Sequence, residues 1–307
     1  MKVAIVGAGL IGRAWAMVFA RGGWDVAVYD LVDGAADACV AECAHGLATL
    51  AEHGLCDDPE AALGRLVAVA TLGEALEGAA YVQESGPERL EVKLDLFAEL
   101  DRLAGADTIL ASSTSALQCS LFTEALPGRA RCLVAHPVNP PHLAPVVELS
   151  GAPWTDEAVV AKTRAMFEAL GQKPITVKKE VDGFILNRLQ AALVTEAFRL
   201  VGEGYVSPED LDKTITDGLG LRWSFIGPFQ VGELNAPAGL ADYIERYSPF
   251  FRRVAETSDP DAALGVDNLA RCVEAWGSAP SVERVAEMSR WRDKRLAALA
   301  AHKKSQE

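Results

Sequence analysis

The sequence predicts an α/β chain: a mainly parallel sheet covered on both faces by helices, followed by an all-helical part. Three observations carry this expectation. Short β-branched runs alternate with Ala-rich helical stretches through the first 180 residues. A glycine turn joins the first strand to the first helix, and beyond about Val181 no strand-like run recurs. The expected domains are therefore 1–180 and 181–307. With 307 residues, half of them hydrophobic, the chain can bury two real cores, which excludes wholesale disorder.

Val3–Val6 is a β-branched run too short for a helix and bounded by glycine, so it reads as a buried strand. Gly7-Ala8-Gly9-Leu10-Ile11-Gly12 follows, then a helix over Arg13–Arg21 closed by Gly22-Gly23. Trp24–Tyr29 is the next strand and ends at Asp30. Asp33–Gly54 is helical, and strands are expected at Leu66–Ala70, Ala80–Glu84, Thr108–Ala111, Cys132–Ala135, Pro145–Leu149 and Pro174–Val177. Helices fall at Glu88–Leu103 and Asp156–Leu170. In the second part, Asn187–Val201 is a long helix, and Ser207-Pro208-Glu209-Asp210 starts another with a Ser cap and a Pro in the first turn. The charged tail from Arg292 is expected to fray.

Charge narrows the function classes. Lys and Arg number 29 against 43 Asp and Glu, a net −14 that repels nucleic acid and anionic membranes. No apolar run approaches the roughly 20 residues of a membrane span. The N-terminus enters the first strand directly, without the pattern of an export signal, so a cytoplasmic location is expected. The six cysteines form no C-x-x-C pair. Cys39 and Cys43 share a helix face without a second ligand pair, so packing is expected rather than a metal site.

Two constellations carry chemistry. Gly7-x-Gly9-x-x-Gly12 lies between a strand and a helix, and Asp30 stands 18 residues past Gly12 at the end of the second strand. The first glycine permits the tight turn, the second lets backbone approach a pyrophosphate, and the third allows close helix–strand packing. A carboxylate at Asp30 can accept from both ribose hydroxyls and would repel a 2′-phosphate, and no Lys or Arg follows before Arg65. The pattern is that of a Rossmann-type NAD site; the bland alternative is a generic turn with a solvated Asp. The second constellation is Ala135-His136-Pro137-Val138-Asn139-Pro140, with Glu148 twelve residues beyond the histidine. His136 follows a strand, where open α/β sheets place ligands. Glu148 on the next strand can fold back beside it and fix the imidazole tautomer, as a base for alcohol oxidation requires. A core histidine satisfied by local backbone is the alternative.

The glycine turn with Asp30, Ser112-Ser113-Thr114-Ser115, HPVNP with Glu148, and Gly183-Phe184-Ile185-Leu186-Asn187-Arg188 together resemble the 3-hydroxyacyl-CoA dehydrogenase superfamily. Within it, GLIGRAWAMVFARGG, AHPVNPP, KKEVDGFILNRLQ, VSPEDLD and GLGLRWSFIGPF are similar to the branch of lambda-crystallin and L-gulonate 3-dehydrogenase, over nearly the whole chain. The resemblance implies His136 as catalytic base oriented by Glu148. It implies Ser115 against substrate hydroxyl and nicotinamide, Asn139 against the nicotinamide amide, and Asn187 against substrate. Leu10, Ile11, Asp30, Glu88 and Lys93 match its NAD-contacting positions. By spacing alone, Glu88 and Lys93 read as solvated helix charges, Ser115 as a loop hydroxyl and Asn187 as a cap.

Residues 31–64 carry no Lys or Arg and seven acids, Asp33, Asp37, Glu42, Glu52, Asp57, Asp58 and Glu60. A 3′-phospho-ADP handle docking there meets repulsion, which argues against a CoA thioester and for a small hydroxy acid. Arg222 is the candidate to grip the substrate carboxylate, its alternative being a stack on Trp223 or a subunit contact. The expected activity is NAD-dependent oxidation of a 3-hydroxyl, L-gulonate to 3-dehydro-L-gulonate. The alternatives are L-carnitine, with Trp223, Phe225, Phe229 and Tyr243 as an aromatic cage, 3-hydroxybutyryl-CoA, or a non-catalytic crystallin-like role. A homodimer built on the helical part is the expected assembly.

Overall fold

A computed structural model describes residues 1–306. It contains two compact units. One is Met1–Arg188 together with the segment from Val282 onward; the other is Leu189–Ser281.

The first unit is built on an eight-stranded sheet. Its strands are β1 (Lys2–Val6), β2 (Asp25–Tyr29), β3 (Leu66–Ala68), β4 (Ala79–Glu84), β5 (Ile109–Ser112), β6 (Cys132–Pro137), β7 (Val146–Gly151) and β8 (Lys173–Val177). Their spatial order is β3-β2-β1-β4-β5-β6-β7-β8. β1 to β6 are mutually parallel, whereas β7 runs antiparallel to β6 and β8 pairs parallel with β7. The reversal has a simple cause: residues 138–145 are too few for a crossover helix, so the chain can only fold straight back. Between β1 and β4 the winding changes direction, and open α/β sheets bind ligands at such a switch point.

Both faces of the sheet are covered. On one, α1 (Leu10–Arg21) and α2 (Ala35–Glu52) pack Trp15, Phe19, Leu47 and Leu50 against Ile5, Tyr81, Leu133 and Phe167. The rings of Trp15 and Phe167 lie 5.2 Å apart and those of Phe19 and Tyr81 5.7 Å apart. On the other face, Phe97 and Leu100 of the Leu90–Leu103 helix meet Val82, Leu110, Phe122 and Val134. Burial on both sides explains why these strands read as continuous apolar runs rather than alternating ones.

Some expectations need correction. The first helix begins at Leu10, not Arg13, because the glycine turn itself forms its first turn. Two short helices, Pro59–Leu63 and Leu72–Leu76, were not expected, although each has its signal. Asp58 Oδ1 accepts from the Ala61 N–H at 2.9 Å, and Thr71 with Glu74 forms a capping box. The largest correction is at the C-terminus. The Val282–Lys304 helix does not fray from Arg292: Ala297 is fully buried, Leu296 packs on the sheet unit's core, and Lys304 Nζ reaches the Gly54 carbonyl at 3.2 Å. Apolar contact thus assigns this helix to the sheet unit, and the helical unit is shorter at both ends than the expected 181–307.

The helical unit contains most of the Leu186–Gly202 helix and a continuous helical run from Pro208 to Trp223 with a π-turn at Thr214–Leu219. Gly239–Glu256 and Val266–Trp276 are its other long helices. Ser207 caps the run as expected, its Oγ accepting from the Asp210 N–H at 3.1 Å. Asn268 ties the unit internally by donating to the carbonyls of Phe198 and Ala263, each at 2.9 Å. Among the described residues, no helix is long and apolar enough to cross a membrane.

Candidate active site

Parallel β1, β2, β4, β5 and β6 bring their carboxyl ends to one edge of the sheet, and that edge holds nearly every residue singled out above. At the end of β1 the backbone turns at Gly7, whose φ of 103° disfavours any other residue. A Cβ on Gly12 would stand 1.8 Å from the Gly7 carbonyl oxygen, so α1 can start this close to the strand only with glycine there. Gly9 differs: a Cβ on it meets nothing within 4 Å. It stands beside the N-terminus of a 12-residue helix that has no side-chain cap and no acid in its first turn. Unsatisfied N–H groups, the positive end of the helix dipole and open space above them suit an anionic group.

Asp30, at the end of β2, is bound more closely to this turn than its spacing implied. Its Oδ2 accepts from the Ala8 N–H at 2.7 Å and its Oδ1 from the Val32 N–H at 2.9 Å. The carboxylate therefore fixes the glycine turn and retains lone pairs for ribose hydroxyls. Leu10 is exposed beside the turn and Ile11 half-buried.

The β4 end supplies what sequence reasoning missed. Glu84 is fully buried; its carboxylate accepts from Lys93 Nζ at 2.8 Å on both oxygens, from Ser112 Oγ at 2.6 Å and from the Gly86 N–H at 2.5 Å. Lys93, which the resemblance sets against NAD and spacing alone would leave solvated, is only 1% exposed, with its ammonium held by Glu84. Glu88 is exposed, yet it accepts from Thr114 Oγ1 and from the N–H groups of Ser115 at 3.3 Å and Ala116 at 3.2 Å, so it shapes the loop after β5. Deeper in, Ser113 Oγ receives the Trp15 indole N–H at 3.1 Å and the Gln83 amide at 2.7 Å, and pairs with Ser85 Oγ at 2.9 Å. The signal was present: Gln83-Glu84 ends a strand buried on both faces, where polar side chains need partners.

His136 closes β6 and stands directly across the antiparallel pair from Glu148. Its Nδ1 is 2.7 Å from Glu148 Oε2; the ring is 3% exposed and the carboxylate fully buried. Glu148 Oε1 accepts from the N–H groups of Ile185 at 2.9 Å and Leu186 at 3.1 Å, at the start of the Leu186–Gly202 helix. The Phe184 ring lies 5.2 Å from the imidazole. With both carboxylate oxygens engaged, Glu148 accepts the Nδ1 proton and leaves Nε2 as the basic nitrogen. One residue further, Asn187 Nδ2 donates to the Ser115 carbonyl at 2.9 Å, which ties the β5 loop to the same helix start. Asn139 is exposed in the loop after β6. Arg222 is exposed in the helical unit's Gly220–Trp223 turn.

Residues 2–181 match the family model described as 3-hydroxyacyl-CoA dehydrogenase, NAD binding domain, and residues 183–261 match the corresponding C-terminal domain. The chain belongs to the 3-hydroxyacyl-CoA dehydrogenase family. It is an NAD-dependent oxidoreductase acting on CH–OH groups. Among its relatives is a lambda-crystallin homolog from Rattus norvegicus, 40% identical over 97% of this chain and 95% of that protein. An L-carnitine dehydrogenase from Pseudomonas putida is 38% identical over 98% and 94%. A solved 5-formyl-3-hydroxy-2-methylpyridine 4-carboxylic acid 5-dehydrogenase, described as an NAD+-dependent dismutase, superposes with a TM-score of 0.83 at 28% identity, covering 97% and 96%. The dehydrogenase's uncapped α1 N-terminus, with clear space over Gly9 and the Asp30 brace, fits the pyrophosphate and ribose of NAD.

Proposed function

We propose that this dehydrogenase oxidises the 3-hydroxyl of a small hydroxy acid, foremost L-gulonate to 3-dehydro-L-gulonate, with His136 as base. The observation that carries the reading is the buried His136–Glu148 pair at 2.7 Å, on the strand end that shares an edge with the glycine turn. Bound NAD supplies the hydride acceptor. Nε2 of His136 takes the hydroxyl proton, and Glu148 stabilises the imidazolium and prevents the ring from turning. Asn187 and Ser115, joined at 2.9 Å, position the alcohol, and Asn139 the nicotinamide amide. Arg222 accounts for carboxylate recognition; its guanidinium has no ion pair among the described residues.

The acidic, Lys- and Arg-free stretch 31–64 supports a substrate without a nucleotide handle. L-carnitine is the second reading, favoured by the Pseudomonas relative and by the exposed Trp223, Phe225 and Phe229. Mixing the protein and NAD with L-gulonate, L-carnitine or 3-hydroxybutyryl-CoA and following NADH absorbance tests the choice. Preference for gulonate supports the proposal, preference for carnitine selects the second reading, and a clear preference for the thioester or no turnover of gulonate overturns the gulonate assignment. The assembly we infer is a homodimer through the helical unit, whose Phe229, Leu234 and Phe251 are exposed. Six free cysteines, five of them buried, fit a reducing cytoplasm.

A further inference from the structure

Six residues beyond His136, the loop after β6 brings His142 to the wall of a small recess of about 70 Å³. Every wall belongs to the sheet unit. His45 and Thr49 come from α2, His142 from the loop, and Arg290, Asp293 and Lys294 from the Val282–Lys304 helix. Nδ1 of His142 is buried and has no hydrogen-bond partner. Native proteins rarely leave such a nitrogen unsatisfied, because its desolvation is then uncompensated.

The surroundings are cationic, in a chain whose net charge is −14. Arg290 and Lys294 have no carboxylate at ion-pair distance among the described residues. Asp293, the one acid in the wall, is already engaged by Arg292 at 2.8 Å. Arg21 Nη1 donates to the His142 carbonyl at 2.9 Å, so a further guanidinium braces the loop from behind. Burial, reinforced by the charges of Arg21, Arg13 and Arg292, pushes the His142 imidazole down to about 3, so the ring stays neutral. Excess positive charge around a space this size describes a host for one small anion.

We propose that this recess binds a small oxyanion of the phosphate type, with Arg290 and Lys294 as charge partners. Its occupant rests on the loop that also carries Asn139, away from the glycine turn's own anion site. The test is calorimetric titration of the full-length protein with inorganic phosphate, at ionic strength held constant with sodium chloride and with NAD saturating. NAD fills the glycine turn, so saturable phosphate binding in its presence reports the recess. The expected result is one site, weakened about tenfold by Arg290→Ala or Lys294→Ala and tightened by Asp293→Asn. These three positions lie at the surface or its margin, so the result does not depend on the more buried His142 tolerating change. Binding that disappears when NAD is present, that chloride reproduces, or that is equally strong in both cation variants overturns the proposal.

Discussion

The two units of this dehydrogenase handle apolar surface in opposite ways. In the sheet unit Trp15, Tyr81, Phe97, Phe122 and Phe167 are all fully buried, and even its polar groups Gln83, Glu84, Lys93 and Ser112 are enclosed with partners. In the helical unit Phe229 is 76% exposed, Leu234 71% and Trp276 57%, while Val231, Ala263 and Asn268 are among the few buried side chains. One unit closes its own core. The other presents amphipathic helices whose apolar sides lack cover, as expected of a surface completed by association. The contrast suits two different jobs: fixed geometry at a cofactor site requires the first kind of interior, and the homodimer proposed above requires the second kind of surface.

The comparison can be broken most sharply at His136. If the chemistry resides in the closed unit, His136→Ala lowers kcat by about 10²- to 10⁴-fold while NAD titration is unchanged, and steady-state kinetics with the preferred hydroxy acid reads this directly. Next comes the enclosed ion pair. Lys93→Ala strands Glu84 without its counter-charge and costs about 3–5 kcal/mol in urea unfolding, whereas Lys93→Met combined with Glu84→Leu regains most of that loss. A smaller effect distinguishes the glycines. Gly12→Ala, forced against the Gly7 carbonyl, loses about 1–3 kcal/mol of stability. Gly9→Ala leaves the melting temperature in place and weakens NAD binding, because its methyl enters only the open space. If the proposed homodimer forms through the helical unit, Phe229→Asp raises its dissociation constant by about tenfold or more in sedimentation while the sheet unit's unfolding is unaltered. The least effect is at the surface pair Lys213–Asp210, where Lys213→Ala leaves the urea unfolding midpoint in place.

Local rules made much of the sheet unit legible. The glycine turn, the strand runs and the return of Glu148 to His136 follow from spacing, since a short loop between adjacent strands forces an antiparallel register. Lys93 escaped that reasoning because helix periodicity cannot reveal an acid at the end of a neighbouring strand; the partnership with Glu84 exists only once β4 and the following helix pack together. Spacing points Asp30 toward ribose alone, whereas its bond to Ala8 depends on how β1 and β2 end side by side. The C-terminal helix eludes sequence patterns for a similar reason. Its charged composition hides Leu296 and Ala297, and only the packing against α2 discloses which unit they complete.

Glu148 bonds the imidazole with one oxygen and the opening backbone of the Leu186–Gly202 helix with the other. That helix carries the chain out of the sheet unit. Any rotation of its first turn would withdraw two N–H donors from the carboxylate bonded to His136. The arrangement is an interlock: the proposed proton acceptor is aligned only while the root of the exit helix is seated.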